Sequence, residues 1–139
     1  MTVTVGLTDD LAQALAIRRI VFIEGQNVPE DREVDGCDGE ALHLLLVEND
    51  VAIGTARLML EGETGKIGRV AVLKEHRGRG FGIALIEKSY EVLREHGAAR
   101  AKLGAQTYAI GFYEKLGFTV QGPEYIDAGI PHRDMVRPL

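Results

Sequence analysis

Lys66-Ile67-Gly68-Arg69-Val70-Ala71-Val72-Leu73, followed by Lys74-Glu75-His76 and then Arg77-Gly78-Arg79-Gly80-Phe81-Gly82, is the stretch around which the chain is organised. Val70 to Leu73 is an unbroken apolar run of strand-forming residues, the pattern of a strand covered on both faces. From Phe81 onward, Phe81, Leu85, Ile86 and Leu93 recur at helical spacing with Ser89 and Tyr90 between them. Glu87, Lys88, Glu91 and Arg94 face away, and Gly97 stops the helix after His96. The glycines therefore stand where a strand hands over to a helix. The first amides of a helix lack intrahelical partners and carry the positive end of its dipole, so anions bind there. Gly78, Gly80 and Gly82 keep side chains off those amides, and Arg77 and Arg79 add full positive charges. The turn suits a pyrophosphate.

Two common phosphate-binding patterns are absent. No G-x-x-x-x-G-K-[ST] string occurs, and G-x-G-x-x-G fails because Leu85 stands three residues beyond Gly82, which disfavours ATP and NAD.

Composition narrows the field further. At 139 residues and 45% hydrophobic, the chain suits one domain spanning residues 1–139. A net charge of −5 argues against nucleic acid or an anionic membrane as partner. Cys37 is the only cysteine, so an intrachain disulfide is excluded and a reducing compartment fits. The N-terminal MTVTVGLTDD has no basic or apolar leader pattern, and no apolar run approaches the ~18 residues of a spanning helix, which predicts a cytoplasmic protein.

In chain order, Val3 and Val5 alternate with threonines as a first strand. Thr8 is the predicted N-cap of an amphipathic helix reaching Phe22 or Ile23, and Pro29 marks a point beyond its end. Residues 24–40 are acidic, with Glu24, Glu30, Asp31, Glu33, Asp35, Asp38 and Glu40 against Arg32 alone. An EF-hand loop starting at Asp31 fails because Leu42 occupies the position of its bidentate Glu, so no metal is expected. Two readings stay open for these carboxylates: a solvated loop, or an acidic cleft that draws a cationic amine.

Ala41–Glu48 and Val51–Glu61 flank Asn49-Asp50 as a hairpin, with Gly54 at a bulge or close approach. Gly62 to Gly65 turns into the central strand. After the long helix, residues 101–105 form a strand parallel to it, a helix spans Thr107 to Lys115, and closing strands follow near Phe118, Tyr125 and Arg133.

The string Arg77 to Gly82 reads R-x-x-G-x-G and resembles the pyrophosphate-binding motif of the GNAT acyl-CoA-dependent N-acetyltransferases. Ala109-Ile110-Gly111-Phe112-Tyr113-Glu114-Lys115-Leu116-Gly117-Phe118, about thirty residues on, resembles that family's second cofactor segment. Val21-Phe22, Glu24-x-Gln26-x-Val28-Pro29 and Asp127-Ala128-Gly129-Ile130-Pro131-His132 are similar to the small bacterial YjcF/ElaA-like branch. The resemblance implies the GNAT α/β fold, a central mixed sheet whose two parallel strands splay apart, flanked by helices. It implies acetyl-CoA as cosubstrate, its pantetheine arm against Val70, Ala71 and Val72, its pyrophosphate on Arg77 to Gly82, and Ala109 and Phe112 beside it. It further implies transfer of acetyl to a small-molecule or protein amine, and allows a homodimer.

Such transfer needs a polarised carbonyl, a neutral amine and a proton for the departing thiolate. A strand N–H from Val70 to Val72 can polarise the carbonyl. Tyr113 matches the family's general acid, and a phenol of pKa near 10 can serve a thiolate of about 8.5. The strand Lys66 to Leu73 has no carboxylate for a base, which leaves Glu24, His43 and His132 as candidates. Cys37 lies between Asp35 and Asp38, whose charges disfavour a thiolate, so direct attack in a ternary complex is favoured over a covalent relay. A non-catalytic acyl-CoA-binding sensor is the rival reading: it needs Arg77 to Gly82 but not Tyr113.

Overall fold

The computed structural model describes residues 2–139. Seven strands form one mixed sheet in the order β1-β2-β3-β4-β5-β7-β6. They are β1 (Val3–Thr8), β2 (Leu42–Glu48), β3 (Val51–Glu61), β4 (Thr64–Val72), β5 (Arg100–Gln106), β6 (Thr119–Asp127) and β7 (Ile130–Pro138). Four α-helices flank it: α1 (Leu11–Arg18), α2 (Glu30–Glu33), α3 (Phe81–Glu95) and α4 (Ile110–Lys115). This is the mixed sheet with flanking helices that the resemblance implies.

The β2–β3 hairpin closes over Asn49 and Asp50, which both take the positive φ that a tight two-residue hairpin demands (50° and 68°). Its register slips between Leu46 and Val47, beside Gly54, where a side chain would crowd Leu85 and Leu46. Alternation along the strands sorts the core into two layers. Leu44, Leu46, Ile53 and Leu58 pack with Leu85, Ile86 and Leu93 of α3. Leu45 and Ala71 face the other way, onto Ala14, Ile17 and Val21. The apolar run of β4 thus serves both layers, Ala71 toward α1 and Val70 and Val72 toward α3.

Three local expectations shift. Asp10, not Thr8, caps α1: its carboxylate accepts the Gln13 amide at 3.2 Å, while the Thr8 hydroxyl accepts the Asp10 amide. The first helix is α-helical only to Arg18 and continues as a π-helical turn over Arg19–Glu24. The wider turn brings Phe22 to the wall of a cavity, a setting in which such turns recur. The central strand also starts two residues early, at Thr64.

The seam between β4 and β5 is parallel and short. Only Thr64, Gly65 and Lys66 pair, with Arg100, Ala101 and Lys102. Beyond that the strands part, and the facing edges of both have no strand partner. Among the described residues no helix is long and apolar enough to cross a membrane.

Candidate active site

The gap between β4 and β5 opens into a cavity of about 620 Å³. Ile67 to Val70 form one wall and Leu103, Gly104 and Gln106 the other. Phe22, Gln26 and Val28 close one side, Tyr125, Ile130 and His132 the opposite side, and Tyr108, Ala109 and Tyr113 one end. β4 is bent where the gap begins. Arg57 pairs with Gly68 and Thr55 with Ala71, so Ala56 alone faces Arg69 and Val70 across a bulge, and Arg69 sits at φ +50°.

Tyr113 is placed by α4 and held edge-on by Phe112 and Phe118, at ring separations of 5.1 and 6.0 Å. Burial, with the nearby phenols of Tyr108 and Tyr90 adding to it, raises its pKa and keeps it protonated at neutral pH. His132 stands at the start of β7, stacked on Tyr125 at 5.8 Å, with Nδ1 2.7 Å from the Ile130 carbonyl oxygen. A carbonyl can only accept, so in the neutral ring Nδ1 carries the hydrogen and Nε2 keeps its lone pair. Tyr125 donates to Asp134 at 2.7 Å; burial and this carboxylate push the Tyr125 phenol up, so it too stays protonated.

The other two base candidates lie elsewhere. Glu24 is exposed at the end of the π-turn and does not line the cavity. His43 is buried on β2, where its Nε2 donates to the Asp38 carbonyl at 2.9 Å and its Nδ1 is enclosed without a partner. It too is outside the cavity, because β3 stands between β2 and β4.

The glycine turn has the expected strand-to-helix position. Gly78 and Gly80 take φ of +80° and +81°, and Gly80 precedes α3 with no side chain capping the helix. A Cβ on Gly82 would meet open space. Arg77 Nε donates to the Val72 carbonyl at 2.9 Å, tying the turn to the end of β4. Arg79 spans Phe81, 4.6 Å from the ring centre, and pairs with Glu48, whose carboxyl it holds below the ordinary range. Ala109 lines the cavity, whereas Phe112, on α4, is 43% exposed and lies outside it.

The acidic segment divides: Glu24, Glu30, Asp31 and Glu40 are exposed, whereas Glu33, Asp35 and Asp38 are bound by arginines. Glu33 accepts from Arg18 at 2.8 Å and from Arg69 Nε at 2.6 Å. Asp38 accepts from Arg18 at 2.7 Å and from Arg57 at 3.2 Å, and Asp35 takes both ends of Arg57, at 2.8 and 2.9 Å. Three carboxylates are thereby matched to three arginines contributed by α1, β3 and β4. Sequence spacing does not reveal these ties, which join residues 15 to 36 positions apart. The local signals are Arg57 and Arg69, each flanked by apolar residues in its strand. Among the described residues no group of His, Cys, Asp and Glu is arranged to hold a metal ion.

This geometry agrees with the comparisons. The Acetyltransferase (GNAT) domain matches residues 22–139, and the chain belongs to the GNAT family. YjcF of Bacillus subtilis, described as an uncharacterized N-acetyltransferase, is 35% identical over 130 residues, 93% of this chain and 93% of that one. The crystal structure of Escherichia coli ElaA matches with a TM-score of 0.86 at 30% identity, over 98% of this chain and 99% of that one. A GNAT family acetyltransferase from Elizabethkingia anophelis with acetyl-CoA bound shares the fold, with a TM-score of 0.76 at 18% identity over 99% and 98% of the two chains.

Proposed function

We propose that this chain transfers the acetyl group of acetyl-CoA to a primary amine by direct attack within a ternary complex. The observation that carries the reading is the parting of β4 and β5 after three paired residues, which opens a cavity flanked by Tyr113 and His132. An unpaired strand edge can hydrogen-bond the amide groups of a pantetheine arm, as an added strand would. The uncapped start of α3, with the Arg77 guanidinium beside it, supplies the donors and charge that a pyrophosphate requires. Acetyl-CoA contributes the activated acetyl group, and the fold relative from E. anophelis was solved with it.

The chain's own residues then divide the work. The amine attacks in its neutral form, with its lone pair already free, and His132 Nε2 takes the one N–H proton it loses as the C–N bond forms. The Val70 N–H polarises the carbonyl oxygen. As the new C–N bond forms and the C–S bond breaks, Tyr113 gives its proton to the sulfur, and the proton on His132 restores the phenol through solvent. The balance is one amine N–H lost and one S–H gained.

Thiol release from acetyl-CoA across a panel of amines, small molecules and peptides, tests this. The wild-type chain releases thiol in an amine-dependent manner, and Tyr113→Phe retains acetyl-CoA affinity while turnover falls by about 10²-fold or more. Binding without amine-dependent release from any amine would favour the non-catalytic sensor. Equal turnover in the variant would remove Tyr113 from the mechanism.

A further inference from the structure

Arg69 occupies a backbone conformation that a long side chain rarely adopts, φ +50°, at the bulge where β4 leaves β5. Strain of this kind persists only where the surroundings over-determine it. Here four contacts do so, all to one short segment. Nε donates to the Glu33 carboxylate at 2.6 Å, and Nη2 lies within 3.4 Å of the Arg32 carbonyl (3.2 Å), the Glu33 carbonyl (3.1 Å) and the Asp35 carboxylate. That segment is itself anchored, because Arg18 grips Glu33 and Arg57 grips Asp35. The guanidinium is therefore tied to groups fixed from α1 and β3, and the tie runs through the residue immediately before Val70.

We infer that Arg69 is a positioning residue for acyl transfer: its four bonds to Arg32, Glu33 and Asp35 hold the β4 bulge in the conformation that turns the Val70 N–H toward the acyl carbonyl. The inference rests on the proposed acetyl transfer and adds a purpose for the acidic loop, which anchors the cofactor strand. A bulge re-aims the groups beside it, and an oxyanion donor works only if its direction is set beforehand.

The test uses Arg69→Gly, which keeps the backbone conformation accessible and removes only the tie, with Arg69→Lys as the conservative variant. In the ligand-free protein, amide hydrogen exchange at residues 67–71 speeds by about tenfold or more in Arg69→Gly, while α3 amides hold their rates. With ligands, the Val70 amide resonance of the wild type separates acetyl-CoA from CoA. Arg69→Gly binds CoA within about threefold of wild type yet loses that separation, and Arg69→Lys restores part of it. Unchanged exchange, or a retained separation in Arg69→Gly, overturns the inference. If the wild type binds neither ligand, the acetyl-transfer reading fails and takes the positioning role with it, while the exchange rates still report whether Arg69 holds the bulge.

Discussion

The two edges of β4 differ sharply. Toward β3 the strand is paired along nearly its whole length, from Thr64 to Val72 with one bulge; toward β5 it pairs for three residues and then stands open. Helices α3 and α1 cover the two faces of the sheet behind that pairing. The open edge faces a cavity with a titratable phenol and a histidine at its margins. A sheet that must accommodate an extended ligand needs an unpaired edge, and an unpaired edge is tolerable only if the rest of the sheet holds it in place. Stability and function thus meet in one strand, and the ion-pair lattice serves both, since Glu33, Arg57 and Arg69 also line the cavity.

The ion-pair lattice is where substitution should cost most in folding. Arg18 is 1% exposed and serves both Glu33 and Asp38. Replacing Arg18 with Ala leaves two buried carboxylates short of a partner and should lower unfolding free energy by about 3 kcal/mol or more in urea denaturation. A loss under about 1 kcal/mol would mean that Arg57 and Arg69 suffice alone.

The short seam gives the next largest effect. Gly65 pairs with Ala101, and a side chain there would collide with Leu93, a fully buried residue of α3. Gly65→Ala should overpack the helix against the seam and cost about 1–3 kcal/mol, with a matching fall in melting temperature. An unchanged melting temperature would show that Leu93 has room to move.

Acid sharpens the comparison at the smallest scale. Hydrogen bonding by Arg57, opposed by partial burial, holds the Asp35 carboxyl well below its ordinary value near 3.8. A depressed folded-state pKa contributes stability above the unfolded value and loses it as pH falls through the folded one. Asp35→Asn should therefore be less stable than wild type at neutral pH. That difference should shrink steadily once pH drops below about 4, when melting curves of the two are compared. A pH-independent difference would assign the effect to packing.

Much of this was legible in the sequence because it depends on local pattern. The apolar run of β4, the helical spacing after Phe81 and the glycine turn between them are each written in a few neighbouring residues. The YjcF/ElaA likeness holds as well. What the pattern conceals is long-range: which carboxylates of residues 24–40 meet which arginines, and that His43 and Glu24 stand away from the cavity while His132 borders it. An ion pair between Arg69 and Glu33, 36 residues apart, leaves no periodic trace. The break from α- to π-helix at Arg19 is similarly silent, since both conformations suit the same apolar spacing over one turn.

The most direct measurement is calorimetric titration with acetyl-CoA and, separately, ATP, on wild type and on Gly80→Val, which forces a β-branched side chain into φ +81° at the start of α3. The account predicts that the wild type binds acetyl-CoA and not ATP, and that the variant, still cooperatively folded, loses acetyl-CoA. Undiminished binding in Gly80→Val, or no binding of acetyl-CoA by the wild type, would contradict the assignment of the open edge and its glycine turn to the cofactor.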